Sequence, residues 1–488
     1  MRRFGFLVIS ALSPLLLLQL SFAKSADKAK GSSATLTITT SSSEAREAFE
    51  KGMVNYENLH LDRASEEWRK AIKADPNFAL GHAWLAFNST DPSEVIAERQ
   101  RAKSLLPNVT PGEQLVIKWL VNVQENNFVA GIAAMNDMLA LYPKDKRLFF
   151  VASNWLMAEN ENEQASKMCQ RALAIDKNYP AALNNLAYAD ARDANFPVAF
   201  AAMERYIKIL PNEPNPHDSY GELLRMSGNF EKALEQYRAS LKVDPKFYVS
   251  QLGLGDTYAL MGDQVRARAE YDKAIQEDPD PADKLNFELQ KAMTWVRENN
   301  FDEADKAFAA VADEAHGKTF DLFEARAHRM MSMYRKSDTD ALKHLEAAEA
   351  ALGHQQEISQ ADHEEERARI LRARAIRAAQ SGDNDLSARA LAQLESMAKT
   401  SRNTVIQQSY HAASGALLVA RQKYAEAIAD LQEDGDDPFS MNLLARAYDQ
   451  TGSSGDMHKV QSKLRAVNLP TLEQALVVVP ARETRPVR

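Results

Sequence analysis

The sequence predicts an all-α chain wound into a right-handed α-α superhelix (solenoid) of stacked helical hairpins. Three observations predict it. Pro211, Pro245 and Pro279 stand 34 residues apart, and the two segments between them align in register. Tyr220-Gly221 falls on Leu254-Gly255, Leu224 on Tyr258, Gly228 on Gly262, Ala233 on Ala267 and Tyr237 on Tyr271. A fixed period of this length marks hairpins that each fail to bury their own apolar face and so must stack. Finally, 488 residues exceed one ordinary core, while 45% hydrophobic and 26% charged content suits a folded chain.

Within the unit, each residue type has a physical reason. Asp218 to Ser227 reads as a first helix, A, with Tyr220, Gly221 and Leu224 on one face. Gly228 stops it, because glycine takes the left-handed cap without steric penalty. Phe230 lies in the turn. A second helix, B, runs from Glu231 to Val243 with Ala233, Tyr237 and Leu241 on its packing face. Gly221 and Ala233 are small because A and B cross closely. Pro245 ends helix B by withdrawing an amide donor. The small residues at positions eight and twenty, the aromatic at twenty-four and the proline at thirty-two resemble the tetratricopeptide repeat. A generic helical bundle would not demand a constant repeat length.

The rest of the chain follows in order. Met1 to Ala23 has Arg2 and Arg3, an apolar run from Phe6 to Leu20, and small residues ending at Ala23. It reads as a secretory signal peptide cleaved after Ala23, the apolar run being short for a membrane span. Residues 24–42 form an expected flexible leader, although Ala34 to Thr39 could lie extended against the first helix. A regular array spans 43–279. Its first unit, Glu44 to Pro76, carries Gly52, Ala64, Trp68 and Ala71. Trp84, Leu85 and Phe87 open the second, whose charged helix Pro92 to Leu106 is broken by Pro107 and Pro111. The third pairs Glu113 to Val123 with Val129 to Leu141, with Gly131 in the small position. Lys146 to Glu159 and Asn162 to Ile175 follow, then Ala181 to Arg192 and Pro197 to Ile209.

Beyond Pro279 the closing prolines disappear. Degenerate hairpins are expected over 280–470, still with helical spacing and small residues such as Ala292, Ala341, Ala388 and Ala427. Residues 471–488 are expected to form a capping helix and a mobile tail.

Charge and chemistry narrow the function. Removing residues 1–23 takes away two arginines and no acid, moving the balance from −9 to −11. An acidic chain is a poor electrostatic match to nucleic acid or anionic lipid. The single cysteine, Cys169, sits in the aromatic position of its repeat and reads as a small buried side chain. No GxSxG, phosphate-loop glycine, HExxH or CxxC motif occurs. No catalytic, metal or cofactor residue is therefore expected. His316, His328, His344, His354 and His363 cluster in sequence, but no pair has the spacing of three or four that two ligands on one helix face require. Glu364 to Arg377 reads as a solvated charged face, with Glu365 and Glu366 able to pair with Arg369. Glu433 to Asp437 reads as a solvated acidic connection.

The resemblance implies that A helices line an inner, concave wall. Its partner-facing positions fall on Arg147 and Asn154, then Asn184, Tyr188 and Arg192, then Asn215, Asp218, Glu222 and Arg225, then Asp256. Polar and of mixed charge, they suit a protein or peptide held by side-chain hydrogen bonds. The clamp lysine of chaperone-binding members is missing: Asn184, Asp218 and Leu252 occupy that position. The expected function is a non-enzymatic scaffold for protein–protein interactions in a bacterial periplasm or cell envelope. The alternative is an envelope protein capturing a glycan or other small molecule in the groove. No nucleic acid partner and no stable membrane insertion after cleavage are expected.

Overall fold

The computed structural model describes residues 35–159, 161–353 and 359–483; the signal-peptide expectation lies outside them. Among the described residues the chain is helical, without strands. Seven hairpins make the first half: α1 (Ser43–Glu57) with α2 (Leu61–Ala74), α3 (Ala79–Asn88) with α4 (Pro92–Leu105), α5 (Pro111–Gln124) with α6 (Phe128–Leu141), α7 (Lys146–Ala158) with α8 (Asn162–Ile175), α9 (Pro180–Arg192) with α10 (Phe196–Ile209), α11 (Asn215–Met226) with α12 (Phe230–Val243), and α13 (Tyr248–Leu260) with α14 (Gln264–Glu277). Five more follow: α15 (Pro281–Arg297) with α16 (Phe301–Gly317), α17 (Asp321–Met333) with α18 (Asp338–Leu352), α19 (Gln360–Ser381) with α20 (Asn384–Thr400), α21 (Thr404–Ala420) with α22 (Tyr424–Glu433), and α23 (Pro438–Gln450) with α24 (Ser454–Ala466). A π-helical turn, Gln474–Val478, leads into α25 (Val479–Glu483).

The period prolines act as expected. α10, α12 and α14 each end two residues before Pro211, Pro245 and Pro279. Helix A of the reference unit begins earlier than expected, at Asn215, and Phe230 opens helix B rather than lying in the turn. The turn between A and B takes a left-handed residue whether or not glycine is available. Gly228 and Gly262 have φ of 84° and 88°, and Leu59, Ala194 and Gln422 adopt the same region at 61°, 58° and 61°. Backbone bonds hold these three in a conformation that L side chains disfavour: the amides following them, of His60, Asn195 and Lys423, donate to the carbonyls of Asn55, Asp190 and Leu418 at 2.9, 2.8 and 2.9 Å.

Aromatic rings lie where small residues leave room. A Cβ on Gly255 would stand 2.4 Å from the Tyr271 ring, and one on Gly52 2.4 Å from Trp68. Rings then link successive hairpins: Trp68 with Trp84 at 5.7 Å, Phe87 with Trp119 at 6.2 Å, Trp119 with Trp155 at 6.4 Å.

The winding is tight enough for successive turns of the superhelix to touch. The turn after α1 meets connections near α11 to α13: His60 bonds Glu213 at 3.1 Å and packs on Phe247, and Arg63 pairs with Asp244 at 2.6 Å. Thr90, after α3, donates to Asp280 at 3.0 Å. The turn after α5 receives Ser359 Oγ on the Gln124 carbonyl at 3.2 Å. Thr404 donates to the Glu159 carbonyl after α7 at 2.7 Å, and Asn468 to the Met226 carbonyl of α11 at 3.1 Å. The A–B turns after α1, α3, α5, α7 and α11 thus rest on connections about six hairpins further along the chain.

Three expectations are corrected. The leader is not free over Thr35 to Ser42. It runs extended across the connections of hairpins one to four, the edge that no earlier turn covers. Leu36 N donates to Asp145 at 3.0 Å, Thr39 N to Glu113 at 2.6 Å and Thr40 Oγ1 to Asp75 at 2.6 Å, while Leu36 and Ile38 pack on the core. The terminal segment does more than cap the last hairpin. It reaches back to α15, where Arg297 donates to Gln474 at 2.5 Å and to the Thr471 carbonyl at 3.2 Å. Its tail is held as far as Arg482, which bonds Arg465, Val467 and Asn468. Finally, the charged runs expected in solvent are interior. Glu365, Glu366, Asp434 and Asp437 are all buried, because inter-hairpin arginines neutralise them: Arg329 bonds Glu366, and Arg372 pairs with Asp437 at 2.8 Å and Asp434 at 3.2 Å.

Candidate interaction surface

The polar residues expected on the inner wall do converge, but they face one another. Along α9, α11 and α13, Tyr188 donates to Glu222 at 2.7 Å, Arg225 donates to Glu222 at 3.1 Å and to Asp256 at 2.7 Å, and Tyr271 donates to Asp256 at 2.8 Å. Ser250 donates to Asp218 at 2.6 Å, and Asn215 to the Tyr206 hydroxyl at 2.9 Å. Arg192 reaches back to the Met157 carbonyl at 2.8 Å and to Asn162. Asn154 accepts from Asn185 at 2.5 Å. Asn184, Tyr188, Asn215, Asp218, Arg225 and Asp256 are buried rather than open to solvent. The tightness of the winding explains this: adjacent A helices press together, so polar groups at their seam must satisfy each other.

Burial sets the electrostatics of this seam. Desolvation pushes Asp218 up to about 7, with Ser250 and Arg225 opposing and Glu222 and Asp256 adding to the rise. Desolvation also raises Glu222 and Asp256, against the pull of Arg225. Three carboxyls therefore gather around Arg225 with a reduced capacity for charge, Arg192 adding to the pull on Glu222 and Arg297 to that on Asp256. Asn184 is an exception to the mutual pairing: its buried Oδ1 has no hydrogen-bond partner.

Arg147 is placed differently. It spans the superhelix interior to α1, bonding Glu57 at 2.6 Å and Glu50 at 2.7 Å. Beside it opens a cleft of about 730 Å³, lined by Thr35, Lys144, Lys146, Asp176, Tyr179 and Pro180 among others. Lys146 lies 4.6 Å from the centre of the Tyr179 ring and pairs with Asp176 at 2.5 Å. The cleft continues the track of the leader. Sequence reading missed it, because its walls come from three connections and from residues over a hundred positions apart.

Other groups fall as follows. Cys169 is fully buried, and burial pushes its thiol up to about 12, so it is a poor nucleophile. The fold brings His328 and His344 to 5.8 Å between ring centres, a pairing that linear spacing did not reveal. Burial lowers both, and Arg335 donates to His344 at 2.9 Å, so a cation there would meet a guanidinium. His354 lies outside the described residues. Among the described residues no group of three or more His, Cys, Asp or Glu could hold a metal ion, and no helix is long and apolar enough to cross a membrane.

No protein-family model matches the chain. It is 25% identical over 157 residues to the TPR repeat-containing protein YpiA of Bacillus subtilis, covering 31% of this chain and 36% of that one. It is 28% identical over 172 residues to the human protein O-mannosyl-transferase TMTC1, covering 33% of this chain and 19% of that one. The chain thus spans only about a fifth to a third of the length of these curated relatives. Among solved structures, yeast Tom70 aligns over 90% of this chain and 99% of its own, at 14% identity and a TM-score of 0.43. The 34-residue hairpins, their ring-on-glycine packing and the left-handed A–B turns make this chain a helical-repeat protein of the tetratricopeptide type.

Proposed function

We propose that the protein is a non-catalytic scaffold that holds an extended polypeptide at the mouth of its superhelix, and that it works in the exported compartment of a bacterial envelope. One observation carries the first part. The mouth already holds an extended segment, Thr35 to Thr40, through backbone amides and threonine hydroxyls bonded to Asp75, Glu113 and Asp145. An acidic side chain that accepts from a backbone amide reads chain conformation more than sequence. The adjoining cleft offers Lys144, Lys146 and Tyr179 to a further stretch of chain. The inner wall of α9 to α13 supports this choice by being spent on its own contacts. A partner entering there would have to replace buried hydrogen bonds. The exported address rests on the pattern of residues 1–23.

A photoreactive amino acid at Lys144, in the intact chain within its native envelope, tests the binding site. A discrete crosslinked protein is expected there, lost on Lys146→Glu, and absent when the probe replaces exposed Val265 on α14. Equal crosslinking at both positions would sink the reading. Stabilisation by soluble sugars with no protein crosslink would move it to ligand capture. Fractionation with N-terminal sequencing tests the address, with Lys24 expected as the first residue of the exported form.

A further inference from the structure

The terminal segment is a separate short helix rather than a continuation of α24. Residues 467–470 stand between the two, and Thr471 Oγ1 accepts from the Gln474 amide at 3.2 Å, as a helix-opening cap does. Its apolar side chains divide between two distant hairpins. Leu472 is buried in a cluster with Leu285, Leu289 and Met293 of α15 and Met330 and Met331 of α17. Val477 and Val478 are buried in a second cluster with Met441 of α23 and Leu464 of α24. Leu476 packs against both. The segment thus crosses a trough between the A helices α15 and α23, four hairpins apart in the array.

One wall of the trough keeps a donor for this segment. Both hydrogen bonds that Arg297 makes among the described residues go to it, to Gln474 Oε1 at 2.5 Å and to the Thr471 carbonyl at 3.2 Å, while its charge also draws on Asp256 from further off. Gln474 is fully buried, yet its Nε2 finds no partner. A buried amide left half satisfied carries a desolvation cost that a purely structural brace would avoid with an apolar residue. Covering the last hairpin, moreover, requires contact with α23 and α24 alone. A short amphipathic helix laid in an apolar trough, with a buried polar contact fixing its register, is instead the arrangement of a bound helical ligand. Met293, Met330, Met331 and Met441 stand in the walls, and methionine surfaces repack readily around different occupants.

We propose that this trough is a helix-docking site, filled in the resting protein by its own residues 471–483, and that a partner polypeptide displaces them with an amphipathic helix. Two features define that helix: bulky aliphatic residues one turn apart, as Leu472 and Leu476 are, and between them an amide or carboxylate for Arg297. The site is separate from the leader-lined mouth and does not depend on the reading given for it.

A fluorescein-labelled peptide of residues 469–483, titrated against the full chain and followed by anisotropy, tests this. Leu472→Asp with Leu476→Asp expels the chain's own segment and should let the peptide bind saturably. The parent should bind it at least about tenfold more weakly, because a tethered competitor acts at an effective concentration on the order of millimolar. Adding Arg297→Gln to the double variant should weaken the peptide at least about tenfold. Hydrogen exchange of the unmodified parent gives a second measure. Amides of residues 474–478 should exchange at least about tenfold faster than those of α15, since a displaceable segment opens without its groove. Sedimentation should find the parent monomeric. Equal binding to parent and double variant, binding to neither, binding undiminished by Arg297→Gln, or exchange of 474–478 no faster than α15 would each overturn the proposal. So would a double variant that fails to fold, which makes the segment part of the core. A parent dimer abolished by Leu472→Asp with Leu476→Asp would overturn it too, giving the trough to a second copy.

Discussion

The first seven hairpins and the last five use different glue. In the first half, hairpins meet through rings set against glycine, as in Tyr237 over Gly221 and Tyr271 over Gly255, with charged pairs such as Arg225–Asp256 beside them. In the second half, leucine and alanine take over the core, as in Leu345, Leu394 and Leu431 with Ala348, Ala390 and Ala427. There, inter-hairpin arginine–carboxylate pairs close the seams. Helices also lengthen, α19 to 22 residues against 12 for α11. The lesson is that a hairpin array tolerates loss of its aromatic and proline markers when charge pairing supplies register between neighbours.

The largest test strikes the second half. Arg372→Ala leaves Asp434 and Asp437 buried beside each other, and should destabilise by about 3–5 kcal/mol. Urea unfolding followed by hydrogen exchange should place the loss in α19 to α24; a uniform loss would deny that the halves differ. Next comes pH. Asp218 is raised to about 7 by burial, so the native chain holds that proton where the unfolded chain has released it. Its contribution is therefore present in full below about pH 4, declines as pH rises, and is gone above about pH 7. The first half should gain on the order of 2–4 kcal/mol between pH 8 and pH 4 from this group alone, and Asp218→Asn should flatten that slope. Thermal melts across pH in parent and variant check it.

Gly255→Ala tests the ring-on-glycine packing. Its Cβ would meet the Tyr271 ring at 2.4 Å, and overpacking of this kind costs about 1–3 kcal/mol. The same change at Gly382, which has open space but a φ of 86°, should cost about 1 kcal/mol through backbone strain alone. Equal effects would mean that ring contact adds nothing. The smallest change is Thr40→Ala, which removes one leader bond to Asp75 and should cost about 1 kcal/mol while speeding proteolysis before Ser43.

What the sequence made legible was local. Proline spacing, the glycines Gly228 and Gly262 before α12 and α14, and the small-then-ring order are written within 34 residues, so hairpin geometry could be read from them. Closure was not legible. The pairs Arg63–Asp244, Thr404–Glu159 and Asn468–Met226 join residues far apart, and their meeting depends on small rotations summed over many hairpins. Burial of Asp218, Arg225 and Asp256 escaped for the same reason, since a polar residue on an A helix looks alike whether the wall is open or pressed shut. Glu366 and Asp434 read as solvent-facing because their partners lie on other hairpins.

The contact between successive windings restricts what evolution can do with this chain. Arrays of this sort commonly change copy number by duplicating or dropping a unit, since each unit touches only its neighbours. Here, losing one pair of helices from the middle would shift every later staple by one place. Asp244 would no longer find Arg63, nor Thr404 the Glu159 carbonyl. Related chains should therefore vary at their two extremities and keep the number of units between α2 and α21 constant.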